Sequence, residues 1–107
     1  MFTIVETPVF QRLAHEVWSD DELTAFKASL ANDPLCGQVI PGTGGLRKVR
    51  SSRQGMGKRG GARVIYYNLL ASGVIVLMMV YTKAKFDNLP AEFLTRLRKE
   101  FEDAQNH

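Results

Sequence analysis

GGLRKVRSSRQGMGKRGGARVIYYNLLASGVIVLMMVYTKAK, residues 44 to 85, is the stretch that decides the fold. Two runs inside it, Ala62 to Leu70 and Gly73 to Lys83, are rich in the Val, Ile and Tyr that suit a pleated, half-buried surface. The Ala71-Ser72-Gly73 turn between them makes a hairpin. The second run is apolar on both faces of a strand, so it belongs inside a sheet, covered by helices on one side at least. Leu46 to Ser51 reads as the strand before the hairpin. Side chains alternate across a strand, so Lys48 and Arg50 share one face and Arg47 and Val49 the other. Ser52 to Gly61 holds four glycines and Lys58-Arg59, and reads as a flexible basic loop rather than part of the sheet.

Working outward, Phe2 to Thr7 is a short β-branched run ended by Pro8, a first strand. Phe10 to Trp18 reads as a short helix. Ser19 or Asp20 can cap a second, with Asp20, Asp21 and Glu22 in a first turn where the helix dipole favours negative charge. Leu23, Phe26 and Leu30 recur at near-helical spacing, and Pro34 disfavours a helical conformation at Asp33, which stops the helix. Leu35 to Gly45, with four glycines, Pro41 and Thr43, reads as an irregular loop. Its Gly42-Thr43-Gly44-Gly45 lacks the Gly-Lys-Ser/Thr that completes a phosphate-binding P-loop. Leu89-Pro90 opens a last helix in which Phe93, Leu94, Leu97 and Phe101 form the apolar stripe. The order predicts one α+β domain over 1–107: a strand and two helices, a three-strand antiparallel meander, and a closing helix.

Charge then narrows the function. Nine of the fourteen Lys and Arg residues fall between Gly44 and Lys85, and no Asp or Glu occurs from Pro34 to Phe86. The formal net charge of +3 therefore conceals a polarised molecule whose central window attracts polyanions, nucleic acid first. The N-terminus has no basic segment followed by an apolar one, and no run approaches the ~18 apolar residues that a membrane-spanning helix needs. The expected setting is cytoplasmic, without a membrane partner. The single cysteine, Cys36, cannot form an internal disulfide and reads as packed rather than reactive.

The inventory also limits the chemistry. The two histidines are His15, in a polar helical context, and the terminal His107, which makes a two-histidine phosphodiester cleaver a poor fit. The basic window offers no carboxylate cluster for a hard cation and no zinc ligand set, so neither a metal nor another cofactor is implied. Arg47, Lys48, Arg50, Arg63, Lys83 and Lys85 lie on or at the ends of adjacent strands, while Arg53, Lys58 and Arg59 lie on the glycine-rich loop. Such a set can bind nucleic acid without chemistry. It can also cleave RNA, whose 2′-hydroxyl is its own nucleophile: the protein must align it, assist its deprotonation, stabilise the phosphorane and protonate the leaving 5′-oxygen. Arg matches phosphoryl oxygens bidentately, and Tyr66, Tyr67 or Tyr81 can stack on a base or hydrogen-bond a phosphate. One of Tyr66 and Tyr67 must face the core.

Three strings, Ile40 to Arg50, Gly57 to Tyr67 and Val80 to Lys83, together with Glu6 to Phe10, the Ser19 to Leu23 helix start and the closing helix, resemble the RelE/HigB superfamily of type II toxins, HigB-type members most. The resemblance implies a RelE-like fold that cleaves mRNA in the ribosomal A site without a metal ion. It also implies an antitoxin encoded beside the gene, HigA-like and carrying a helix-turn-helix domain. Carried over by position, Lys48, Arg50, Arg63, Lys83 and Lys85 are the expected catalytic set. Arg47, Arg53, Lys58, Arg59, Tyr67 and Tyr81 are the expected RNA-binding set. The chain departs from the family pattern at Ser51, where an aromatic is common, and at Ala84-Lys85, where an Asn-Glu-like pair is usual. The rival reading is a non-catalytic relative that binds DNA gyrase, as ParE-like toxins do, or binds its antitoxin alone.

Overall fold

The computed structural model describes residues 2–53, 57–82 and 89–105, with 52, 53, 57–60, 70 and 105 described by backbone alone. The elements are β1 (Thr3–Glu6), α1 (Pro8–Val17), α2 (Asp20–Asn32), β2 (Gln38–Val39), β3 (Arg47–Arg53), β4 (Gly57–Leu69), β5 (Val74–Thr82) and α3 (Ala91–Gln105). The strands form one five-stranded sheet in the order β1-β5-β4-β3-β2. β3, β4 and β5 are the antiparallel meander, and β1 lies parallel to β5 on its other side. The architecture is the α+β arrangement read from the sequence, and β5 is interior as its two apolar faces require.

The helix starts follow from caps. The Thr7 hydroxyl accepts from the Phe10 N–H at 3.2 Å, and Pro8 occupies the first helical position, where its missing N–H costs nothing; α1 therefore starts two residues before the expected Phe10. Ser19 caps α2 in a reciprocal box: its hydroxyl accepts from the Glu22 N–H at 3.2 Å, and a Glu22 carboxylate oxygen accepts from the Ser19 N–H at 2.9 Å. The Thr7 hydroxyl also faces the Leu77 and Met78 carbonyls, at 3.0 and 3.1 Å, tying the start of α1 to β5.

The sheet is covered on both faces. On one, Phe10, Ala14, Phe26 and Leu30 of the first two helices, with Trp18 between them, pack on Ala62, Val64, Tyr66, Ile75, Leu77 and Val80. On the other, Leu94, Leu97 and Phe101 of α3 pack on a layer containing Leu46, Ile65, Val76, Met78, Met79 and Tyr81. Each fully buried Leu, Ile, Val or Met contributes about 1.5–3 kcal/mol relative to exposure. Phe93, expected in the stripe of α3, instead remains 41% exposed. Among the described residues, no helix is long and apolar enough to cross a membrane.

Three further expectations change. Within the stretch read as an irregular loop, Gln38 and Val39 pair with Lys48 and Arg47, adding a two-residue edge strand. The stretch read as a flexible loop, Ser52 to Gly61, is largely strand: β3 runs to Arg53 and β4 starts at Gly57, which pairs with Arg53 across a bulge near Ser51. The glycines there extend the hairpin because backbone pairing needs no side chain. Cys36, expected to be packed, is exposed, while its neighbour Gly37 is buried.

Candidate nucleic-acid interface

The β3–β4 ladder sets which cations share a surface. Lys48 pairs with Ile65 and Arg50 with Arg63, so all four stand on the α3 side of the sheet. Arg47 pairs with Tyr66 and Val49 with Val64, on the side of α1 and α2. The division of β3 read from the sequence therefore holds, and β4 adds Arg63 to the Lys48 and Arg50 face. Directly opposed like charges on one face destabilise a sheet. Arg50 and Arg63 are opposed in this way, with Arg50 exposed and Arg63 only 8% exposed. Among the described residues no carboxylate forms an ion pair with either.

β5 contributes Tyr81 to the same face through a register shift. Ile65 pairs with Met79 but Tyr66 pairs with Leu77, so Met78 is an extra residue, a β-bulge. Ahead of the bulge, Ile75 and Leu77 face α1 and α2; Met78 and Met79 then both turn to the α3 side, and Val80 returns to the first. Tyr81 consequently faces α3 and pairs directly with Arg63. It is 3% exposed, so its ring offers no face for a base to stack on, contrary to the RNA-binding role expected for it. Burial pushes its phenol pKa up, and the Arg63 charge pulls in the opposite direction.

Tyr66 has the opposite orientation and a structural task. Its hydroxyl accepts from the Gly37 N–H at 2.8 Å and donates to the Pro34 carbonyl at 2.9 Å, which the Asn68 Nδ2 also reaches at 2.8 Å. Burial raises the Tyr66 pKa to about 12, against the lowering influence of the Gly37 bond and the Arg47 charge; the Cys36 thiol adds to the rise. Arg47 joins the same knot, donating from Nη1 to the Gly37 carbonyl at 2.7 Å and more weakly to the Leu35 carbonyl at 3.4 Å. Expected to bind RNA, Arg47 instead clamps the loop between α2 and β2, on the face away from Lys48, Arg50 and Arg63. Sequence reading missed this knot; its signal is the placement of polar Tyr66 and Asn68 on the face of β4 turned to α1 and α2.

Tyr67 lies half-buried on the α3 side, its ring against Gly45, where a Cβ would stand 3.4 Å from Cε1. Gly45 adopts φ 109°, a conformation open to glycine. The neighbouring turn is fixed to α3: the Thr95 hydroxyl donates to the Gly42 carbonyl at 2.9 Å and the Arg98 Nε to the Thr43 carbonyl at 2.8 Å. Lys83 and Lys85 lie outside the described residues. Arg53, Lys58 and Arg59 belong to the β3–β4 hairpin by backbone, and their side chains lie outside the description. A cleft of about 440 Å³ between α2 and β3 is lined by residues including Phe26, Leu30, Cys36, Val49 and Arg50.

No family model matches the chain. Among solved structures, it is similar to the free state of a mutant of the Escherichia coli toxin RelE in which two arginines are replaced by alanine. The TM-score is 0.63 at 11% sequence identity, covering 91% of this chain and 96% of that one. The fold is RelE-like. In this RelE-like fold the interior strands β4 and β5 carry Arg63 and Tyr81 as a direct pair, whereas Lys48 and Arg50 stand on β3, next to the two-residue edge strand β2. Ser51, where the family pattern has an aromatic, pairs with Ala62 and so belongs to the opposite face of the RelE-like sheet from Lys48 and Arg50.

Proposed function

We propose that this chain is the toxin of a type II toxin–antitoxin pair, of the HigB kind, and that it cleaves mRNA in the ribosomal A site without a metal ion. One observation carries the reading. The β3–β4 ladder places Lys48, Arg50 and Arg63 on one face in a window free of acids, with Arg63 nearly enclosed. Opposing two arginines weakens the sheet unless an anion comes between them, and a phosphodiester is an anion with oxygens spaced for both forks.

In the proposed reaction the 2′-hydroxyl of the target nucleotide attacks the adjacent phosphorus, and the bond to the 5′-oxygen of the next nucleotide breaks. The products are a 2′,3′-cyclic phosphate and a 5′-hydroxyl. The proton leaving the 2′-oxygen balances the one gained by the 5′-oxygen. Arg63, preorganised by burial, stabilises the phosphorane; Arg50 supplies the second fork; and Lys48, on the same face, is proposed to move a proton. Lys83 and Lys85 complete the proposed set from outside the described residues, and Arg53, Lys58 and Arg59 of the hairpin hold the RNA backbone. The ribosome would contribute alignment, which the two-sided site on a single sheet face does not supply alone. The partner that silences the toxin would be an antitoxin, HigA-like with a helix-turn-helix domain.

Primer extension on cellular mRNA after brief induction tests this. Cuts inside translated frames, ending in 2′,3′-cyclic phosphate, are the expected result. Double-strand DNA breaks with intact mRNA would overturn it in favour of gyrase binding.

A further inference from the structure

Arg63 is the one charged side chain that is buried among the described residues, and its surroundings are unusual for a buried charge. On its β3 side stands a like charge, Arg50; on its β5 side stands the phenol of Tyr81. Ile65 and Met79 share the same face one pair further along the ladder, so the guanidinium borders an apolar wall there. Buried guanidinium groups are ordinarily held by carboxylates, which satisfy their donors and neutralise their charge. Among the described residues no carboxylate pairs with Arg63, and one there would compete with the phosphate that Arg63 is proposed to receive. A neutral phenol offers an oxygen to a guanidinium and leaves its full charge for the incoming anion.

From this juxtaposition, and resting on the reading that the Arg63 face receives phosphate, we infer that Tyr81 is a positioning residue: its enclosed phenol orients the Arg63 guanidinium toward the phosphoryl oxygens and acts on RNA only through it. Three features of the geometry support the assignment. The bulge at Met78 is what turns Tyr81 to the Arg63 face at all; an unbroken alternation from Leu77 would send position 81 to the side of α1 and α2. Tyr81 and Arg63 are directly paired on two interior strands. Tyr81 is too enclosed to touch a base itself. The upward displacement of its pKa by burial also keeps the phenol protonated, so the group remains neutral in the working range.

The test is a double-mutant cycle on the full chain with wild type, Tyr81→Phe, Arg63→Ala and the combined variant, read in two ways. The first is single-turnover mRNA cleavage on programmed ribosomes. Tyr81→Phe, which keeps the ring and its packing, is expected to slow cleavage about 10-fold with the half-saturating ribosome concentration unchanged, and the combined variant is expected to be no slower than Arg63→Ala. The second reading uses inorganic phosphate, followed by NMR at the Arg63 Nε–Hε in wild type and Tyr81→Phe and by a backbone amide of β4 in all four proteins. Tyr81→Phe should weaken phosphate binding several-fold, and should have no effect once Arg63 is gone. A Tyr81→Phe protein that cleaves and binds phosphate like wild type overturns the inference, as does a combined variant whose losses multiply. Absence of cleavage by the wild-type chain, with the phosphate cycle still non-additive, would remove the nuclease reading and leave the positioning role standing.

Discussion

Replacing Tyr66 by Phe isolates a single oxygen atom that holds a loop to the sheet. The Gly37 N–H, on a buried residue, loses its acceptor at 2.8 Å, while the Pro34 carbonyl keeps the Asn68 amide at 2.8 Å. The consequence is one orphaned donor and one weakened acceptor. A buried group left unsatisfied costs about 1–3 kcal/mol, more than the ~1 kcal/mol net value of an ordinary hydrogen bond, so the expected loss is about 2 kcal/mol. At about 4–8 °C per kcal/mol for a domain of this size, the melting temperature should fall by about 8–16 °C. Urea and thermal unfolding followed by circular dichroism would measure it, with an unchanged denaturant slope showing that both states keep their compactness. Hydrogen exchange should localise the effect to Gly37 and β2, because Arg47 is anchored on the same loop. A Tyr66→Phe protein within about 0.5 kcal/mol of wild type would show that the hydroxyl's two bonds do not hold the loop, and the account of the knot would fall.

The same residue predicts alkaline sensitivity. A Tyr66 pKa raised from 10.0 to about 12 in the folded state means that its stabilising contribution is fully present below pH 10 and is lost as pH rises through 12; the full extent is about 2–3 kcal/mol at 1.36 kcal/mol per pKa unit. Wild type should therefore lose more stability than Tyr66→Phe between pH 10 and 12 in a pH series of urea titrations, and parallel curves would contradict this. Gly37→Ala places a Cβ 2.7 Å from the Tyr66 hydroxyl and 2.9 Å from the Lys48 carbonyl, and overpacking should cost about 1–3 kcal/mol in the same unfolding assay; an Ala variant as stable as wild type would refute the close approach. Arg63→Ala should slow single-turnover cleavage about 100-fold or more, as loss of a transition-state donor does. Arg47→Ala should instead lower stability by about 1 kcal/mol and leave the chemical step near wild type. Equal cleavage defects in the two would show that the division of the sheet faces has no functional meaning.

Much of the fold was legible in local chemistry. The apolar run of β5 announced an interior strand, Ser19 with Glu22 announced the start of α2, and alternation along β3 separated Lys48 and Arg50 from Arg47 before any pairing was known. These are properties of the chain's own neighbours in sequence: two-residue and 3.6-residue periods, and caps that reach no further than three residues. Pairing across strands is different, because it depends on which segments meet and in what register. The Arg53–Gly57 pair extended the hairpin through glycines that read as a loop, since the energy of backbone pairing does not appear in side-chain identity. The parallel seat of β1 beside β5 was likewise decided by tertiary packing. So was the bulge at Met78: one unpaired residue, its carbonyl facing the Thr7 hydroxyl 71 positions away in sequence, reverses the alternation of everything after it. That reversal put Tyr81 under Arg63, and no pattern within β5 encodes it, because the periodicity of a strand reports which residues share a face only up to the first break in its register.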